Sequence, residues 1–137
     1  MGGETNLQQL LATMQPVLCN GDYVFCTIAS LQNIDQQKII GFFKEAEGYT
    51  IILEKKEADA LLLKYSFVAA WITLTVHSSL EAVGLTAAFS SALTAANISC
   101  NVLAAFYHDH IYVNQRDAGH ALQILNRLAA DAAAALT

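Results

Sequence analysis

The sequence has 137 residues, enough for one compact domain or two very small lobes sharing a core. Its hydrophobic fraction of 55% and charged fraction of 14% depart from the roughly 45–50% and 25% of ordinary soluble domains. A monomer of this size cannot hide so much apolar surface, so a homodimer or higher homo-oligomer is expected. The net charge of -5, with no Lys/Arg group larger than Lys55-Lys56, excludes the electrostatic grip that nucleic acid requires. The longest apolar stretch, Phe67 to Val76, is broken by Thr73 and Thr75 and falls short of the ~20 residues that cross a bilayer, so no membrane partner is expected. The N-terminus carries Glu4 and no basic region ahead of an apolar run, does not read as a signal peptide, and points to the cytoplasm. Cys19, Cys26 and Cys100 are odd in number and lack metal-ligand spacing, which suits reduced thiols in a cytosolic core.

Along the chain, Thr5 with Gln8 makes a capping box, and Leu7, Leu10, Leu11 and Met14 follow at helical spacing until Pro16 ends the run. After the Asn20-Gly21 turn signal, Tyr23 to Ile28 reads as a strand, and Ser30 to Gln37 as a polar connection. Ile39 to Lys44 and Tyr49 to Leu53 form a hairpin turned at Gly48, and a short helix covers Lys56 to Leu63. From Phe67 to Ser78 the alternation sends Val68, Ala70, Ile72, Leu74 and Val76 to a core. Phe67, Ala69, Trp71, Thr73, Thr75 and His77 take the other face, which a neighbour or ligand would partly cover. Leu85, Ala88, Phe89, Ala92, Leu93 and Ala96 are the buried stripe of a long helix ending near Asn97. Cys100 to Tyr107 and Ile111 to Val113 read as a second hairpin, its first strand buried. A last helix capped by Asn114 and Asp117 is striped by Ala118, Ala121, Leu122, Leu125, Leu128 and Ala129. An internal echo at an offset of about 60 residues aligns Leu53, Lys56, Glu57, Ala58 and Leu62 with Val113, Arg116, Asp117, Ala118 and Leu122, so a hairpin followed by a helix occurs twice.

The order strand, helix, strand, strand, helix from Trp71 to Asp131 comes with a set of local patterns. They are Thr75-Val76-His77-Ser78-Ser79-Leu80, Val83-Gly84-Leu85-Thr86 opening the helix, Ala95-Ala96-Asn97-Ile98-Ser99-Cys100-Asn101-Val102, and Asp109-His110-Ile111-Tyr112-Val113. Together they resemble an ACT domain, and the whole chain is similar to uncharacterised bacterial proteins with two ACT-like modules in tandem. The resemblance implies an α+β fold of tandem ferredoxin-like βαββαβ modules, an antiparallel sheet with helices packed on one face. Residues 1–65 would be a degenerate lobe with a leading helix and 66–137 the fuller module. Such modules pair side by side, usually to sense an amino acid or similar metabolite. The chain departs from the commonest pattern in having Val83 rather than proline before Gly84, and no final strand after the last helix. Two starts compete for the long helix: Ser79, from a capping box of Ser78 with Glu81, and the neighbourhood of Gly84, from the family pattern. The latter is favoured because glycine inside a helix costs ~1 kcal/mol relative to alanine.

Among residues that carry chemistry, His108-Asp109-His110, with His77, has the donors for zinc. Neighbouring positions in a strand alternate in direction, however, and a fixed third or fourth ligand is not evident, so no metal is expected. Cys100 lacks a positive neighbour to activate it as a nucleophile, and Glu45 and Glu47 read as solvated hairpin residues. No nucleophile, base and orienter are readable together, so no catalytic residue and no cofactor are expected. The setting of Gly84 differs: a helix N-terminus offers unpaired N–H groups and a positive dipole end to a carboxylate. The expected ligand-binding set is therefore Ser78, Ser79, Val83, Gly84, Leu85 and Thr86, with Asn101 on the adjoining strand offering a donor and an acceptor. Asn101 has an equally good alternative, a strand-end hydrogen bond to backbone. The function expected is a non-catalytic, amino-acid-binding regulatory sensor. The alternative is an interaction or regulatory module, acting on an enzyme or other protein, that has lost its ligand pocket.

Overall fold

The computed structural model describes residues 6–76 and 78–137. The elements run α1 (Leu7–Thr13), β1 (Pro16–Leu18), β2 (Tyr23–Ile28), β3 (Ile39–Glu45), β4 (Gly48–Glu54), α2 (Lys55–Ala60), β5 (Val68–Leu74), α3 (Leu85–Ala95), β6 (Asn101–Ala104), β7 (Asp109–Asn114) and α4 (Ala118–Ala135). They separate into two compact units, one of Asn20–Ala70 and one of the residues up to Cys19 together with Trp71–Thr137.

In the Asn20–Ala70 unit, β4 lies between β3 and β2, antiparallel to both, with Cys26 opposite Ile51 and Phe42 opposite Ile51 on the other side. Gly48 turns the hairpin at φ 147, where a Cβ would come within 2.8 Å of the Ile28 carbonyl oxygen. The unit's core is Val24, Cys26, Ile51, Leu53 and Ala58. Where a full module has its first helix, this unit has two 3₁₀ turns, Leu31–Asn33 and Gln36–Lys38, capped by the side chains of Ser30 and Asp35. Leu31 and Ile34 still pack on the core from that connection, so it does a helix's covering work with few residues. The start of β5 closes the sheet against β2, Val68 opposite Val24 and Ala69 opposite Tyr23. The helix expected to reach Leu63 ends at Ala60, because Leu62 turns left-handed at φ 57 while the Leu63 N–H bonds back to the Ala58 carbonyl.

In the other unit, the rest of β5 pairs with β1 on one side, Leu18 opposite Ile72, and β7 with its partner β6 follow on the other. The sequence β5-α3-β6-β7-α4 is the expected βαββα order, and β1 adds an antiparallel strand beside β5. The leading helix belongs to this unit, where it packs on α4 and Gln8 Nε2 donates to the Ala132 carbonyl at 2.9 Å. Its Leu10, Leu11 and Met14 are buried as the spacing requires. Its cap is the side chain of Asn6, which accepts from the Gln9 N–H; Thr5, expected as the cap, lies outside the described residues. The echo between hairpins holds in burial: Leu53 and Val113 are each 0% exposed, and Ala58 and Ala118 are both buried in the helix that follows.

Of the two starts that competed for the long helix, the favoured one near Gly84 holds: the helix begins at Leu85, and Ser79 Oγ accepts from the Glu81 N–H in a turn ahead of it. Two expectations need correction. The strand expected over Phe67 to Ser78 is confined to Val68–Leu74, since beyond it the Val76 and Ser78 N–H groups fold back onto the carbonyls two residues earlier. The strand after Cys100 is exposed rather than buried: it is a four-residue sheet edge with β7 on one side only. At the other end of α3 the expected stop is made in full. Asn97 adopts φ 61, its N–H bonds to the Thr94 carbonyl, and the buried Ile98 returns its N–H to Leu93. No helix among the described residues is long and apolar enough to cross a membrane.

Candidate functional site

The chain leaves β5 at Thr75, whose N–H and hydroxyl both bond to the Gln15 carbonyl, and a turn closes by a 2.9 Å bond from the Ala82 N–H to the Ser79 carbonyl. Gly84 then caps α3 at φ 102, a left-handed conformation that an L side chain rarely adopts. A Cβ there would also lie 3.0 Å from Cδ2 of Leu7, so the position is confined by packing as well as by torsion. Glycine has no side chain to cap the first N–H groups, and the first turn holds no acidic residue. Among the described residues, no side chain caps the positive end of α3 with a hydrogen bond.

A cavity of about 150 Å³ opens at this point. Ser78, Ser79, Gly84, Leu85 and Thr86 line it together, with Ala104 and Asp109 from the second hairpin. Two of the expected residues are elsewhere. Val83 is 83% exposed and is not part of the cavity lining. Asn101 stands three residues before Ala104, roughly 10 Å along an extended strand, and its Nδ2 donates to the Tyr112 carbonyl at 3.2 Å. Asp109 was not expected in this role. It is 6% exposed, and burial pushes its carboxyl above the ordinary carboxylate range while neighbouring His108 pulls the other way. The signal was present in the sequence, because Asp109, Ile111 and Val113 share one face of β7 and the other two are core.

The histidines do not converge on a metal. His110 Nδ1 accepts from Trp71 Nε1 at 3.0 Å and lies 3.2 Å from Thr73 Oγ1, so its lone pair is already committed. Trp71 also stacks on Tyr112 at 6.0 Å, and these contacts cover the β5 face that the sequence left half polar. His108 Nδ1 is buried with no partner among the described residues. No group of three or more His, Cys, Asp or Glu among the described residues is arranged to hold a metal ion; His77 lies outside them. Cys100 is half-buried and desolvation raises its thiol to about 11, the opposite of an activated nucleophile.

Larger hollows lie elsewhere. One of about 360 Å³, lined by Ile28, Ser30, Ile34, Leu61 and Leu63, sits where the 3₁₀ turns replace a helix. Another, about 380 Å³, is a shallow groove along α3 and α4 beside His120, Arg127 and Asp131. A third, about 270 Å³, lies beside Leu31, Ile39 and Phe42. None of these combines an uncapped helix end with a buried ionisable group.

Family models described as ACT domain match residues 2–70 and 66–127. A Vibrio cholerae protein of unknown function, described as a possible transport protein, is 47% identical over 90% of this chain and 95% of its own, with a TM-score of 0.81. The ligand-free regulatory subunit of aspartate kinase from Thermus thermophilus is 9% identical over 86% of this chain and 97% of its own, TM-score 0.62. Aspartate kinase from Clostridium acetobutylicum is 10% identical over 93% of this chain and 36% of its own, TM-score 0.63. These last two likenesses are of fold. No protein of curated function matches the sequence.

Proposed function

Since the chain belongs to the ACT domain family, with one match over each half, we propose that it is a non-catalytic regulatory protein that binds an amino acid or a similar small molecule at the N-terminus of α3. The observation that carries this reading is the uncapped, acid-free end of α3, opening with Gly84 into a cavity that the hydroxyl-bearing Ser78, Ser79 and Thr86 also line. A carboxylate there completes the backbone N–H groups, and the hydroxyls add donors. Ligand at ~100 times its dissociation constant stabilises the folded state by about 2.7 kcal/mol, a shift of several degrees in the melting midpoint of a chain this size. A melting screen against the twenty amino acids is expected to give such a shift with a few of them. Silence across that panel favours the second reading, a module that has lost its ligand and acts through protein contacts alone. That reading has its own support in Phe42 and Phe43, 54% and 71% exposed on the β3 edge.

The same apolar surface supports self-association, the usual arrangement of paired ACT-type modules. Light scattering at tens of micromolar is expected to give a dimer or larger species, and a strict monomer would remove this part of the proposal. The three unpaired thiols fit a reducing cytoplasm as the working compartment.

A further inference from the structure

The cavity at the α3 N-terminus is lined by one ionisable side chain among the described residues, Asp109. It is 6% exposed at the start of β7, in the register that Ile111 and Val113 use for core. Among the described residues its carboxylate has no hydrogen bond or ion pair, and the ionisable neighbour acting on it is His108 on its own hairpin. The other polar side chains lining the cavity, Ser78, Ser79 and Thr86, are neutral. Neither Asp109 oxygen is a fully buried unpaired atom, so the carboxylate of this nearly buried residue is reached from the cavity that it lines, where a bound cation can complete it. The same cavity also takes in the positive end of a helix, suited to an anion. The two ends together present complementary charges to a small molecule carrying both signs.

We propose that Asp109 binds the ammonium group of the ligand, so that the cavity accepts a small zwitterion bearing a primary amine and discriminates against the same molecule without its nitrogen. This rests on the reading of the cavity as the ligand site and adds the half of the recognition that the helix end cannot supply. The volume of about 150 Å³, against the roughly 300 Å³ at which drug-sized pockets begin, confines the ligand to a small amino acid or to the head group of a larger one.

The test uses the full chain as wild type, Asp109→Asn and Asp109→Ala, titrated by calorimetry with glycine, L-alanine and L-serine. Acetate and propionate serve as amine-free acids, and ethylamine as a carboxylate-free amine. Wild type is expected to bind at least one amino acid tenfold or more tighter than its amine-free acid, and Asp109→Asn to abolish that preference while remaining folded. Equal binding of alanine and propionate by wild type, retention of the preference by Asp109→Asn, or silence to every probe overturns the proposal. Equal binding of alanine and ethylamine instead overturns the helix-end anion site and leaves Asp109 standing. Without any ligand, Asp109→Asn is expected to melt higher than wild type at pH 7, because it removes a charge that partial burial disfavours. If both variants melt lower, Asp109 has a structural partner and the proposal falls.

Discussion

Leu62 and Asn97 do the same job in two places with different chemistry. Each follows the C-cap of a helix in the left-handed region, at φ 57 and φ 61, so that the next N–H can bond to the carbonyl five residues back. Asparagine tolerates that conformation, whereas a leucine there is strained by roughly 1–2 kcal/mol. Leu62 is also 89% exposed and recovers little by burial. Leu62→Asn is therefore expected to raise stability by about 1 kcal/mol, read as a higher urea midpoint at unchanged slope; a fall would mean that the leucine side chain has a packing role. Two ionisable residues on β7 set opposite pH dependences. Burial and His108 lower the pKa of His110, and its Nδ1 needs to stay unprotonated to accept from Trp71. Its contribution is fully present above the ordinary histidine value of 6.5 and is lost as pH falls from there through the lowered folded value. Asp109 has a raised carboxyl, so its effect runs the other way: stability falls as pH rises from 3.8 through the raised folded value. Wild type should therefore lose stability below pH 6.5 more steeply than His110→Gln, measured by melting across pH; parallel curves would show that the Trp71 contact does not hold the ring neutral. Asp109 was hidden in the sequence because its neighbours His108 and His110 drew a metal reading. Period-two register with Ile111 and Val113 was the better guide.

The elements legible in the sequence are those whose signal is local. The α3 stripe of Leu85, Phe89 and Leu93, the Gly48 turn and the Asn97 stop each follow from spacing or torsional preference within a few residues. What was not legible depends on pairing between distant segments. Pro16–Leu18 has only three residues and no alternation to mark it as a strand, yet it pairs along Ile72 to Leu74 as an antiparallel strand beside β5. The same distance effect explains β6: its apolar Val102 and Leu103 look like core until the pairing shows a sheet edge. Removing residues 1–19 is expected to strip β1 from β5 and α1 from α4 together. Leu10, Leu11 and Met14 would leave their packed surroundings, and each large buried aliphatic side chain lost costs about 2–5 kcal/mol. The truncated chain should be insoluble or lack cooperative melting; a soluble product with a sharp transition near that of the full chain would show β1 and α1 to be dispensable.

At the scale of the molecule, each unit ends where the other's chain takes over: β5 starts by closing the sheet of the Asn20–Ala70 unit and finishes by pairing with β1. The site proposed at the start of α3 lies in the unit that has a full helix where the Asn20–Ala70 unit has 3₁₀ turns. Substituting Gly84 cannot test that site cleanly, because its φ of 102 and the 3.0 Å approach of Leu7 would disturb folding before binding. The exposed Thr86, at the same helix end, offers a better probe, since Thr86→Val keeps its shape and removes one donor. The most direct measurement is the melting midpoint of wild type and Thr86→Val with each amino acid and with its carboxylate-free amine. The expected result is a shift of several degrees for wild type with an amino acid, none with the matching amine, and a reduced shift for Thr86→Val. An equal shift from the amine, or an unreduced shift in Thr86→Val together with indifference to the carboxylate, would contradict a carboxylate held at the start of α3.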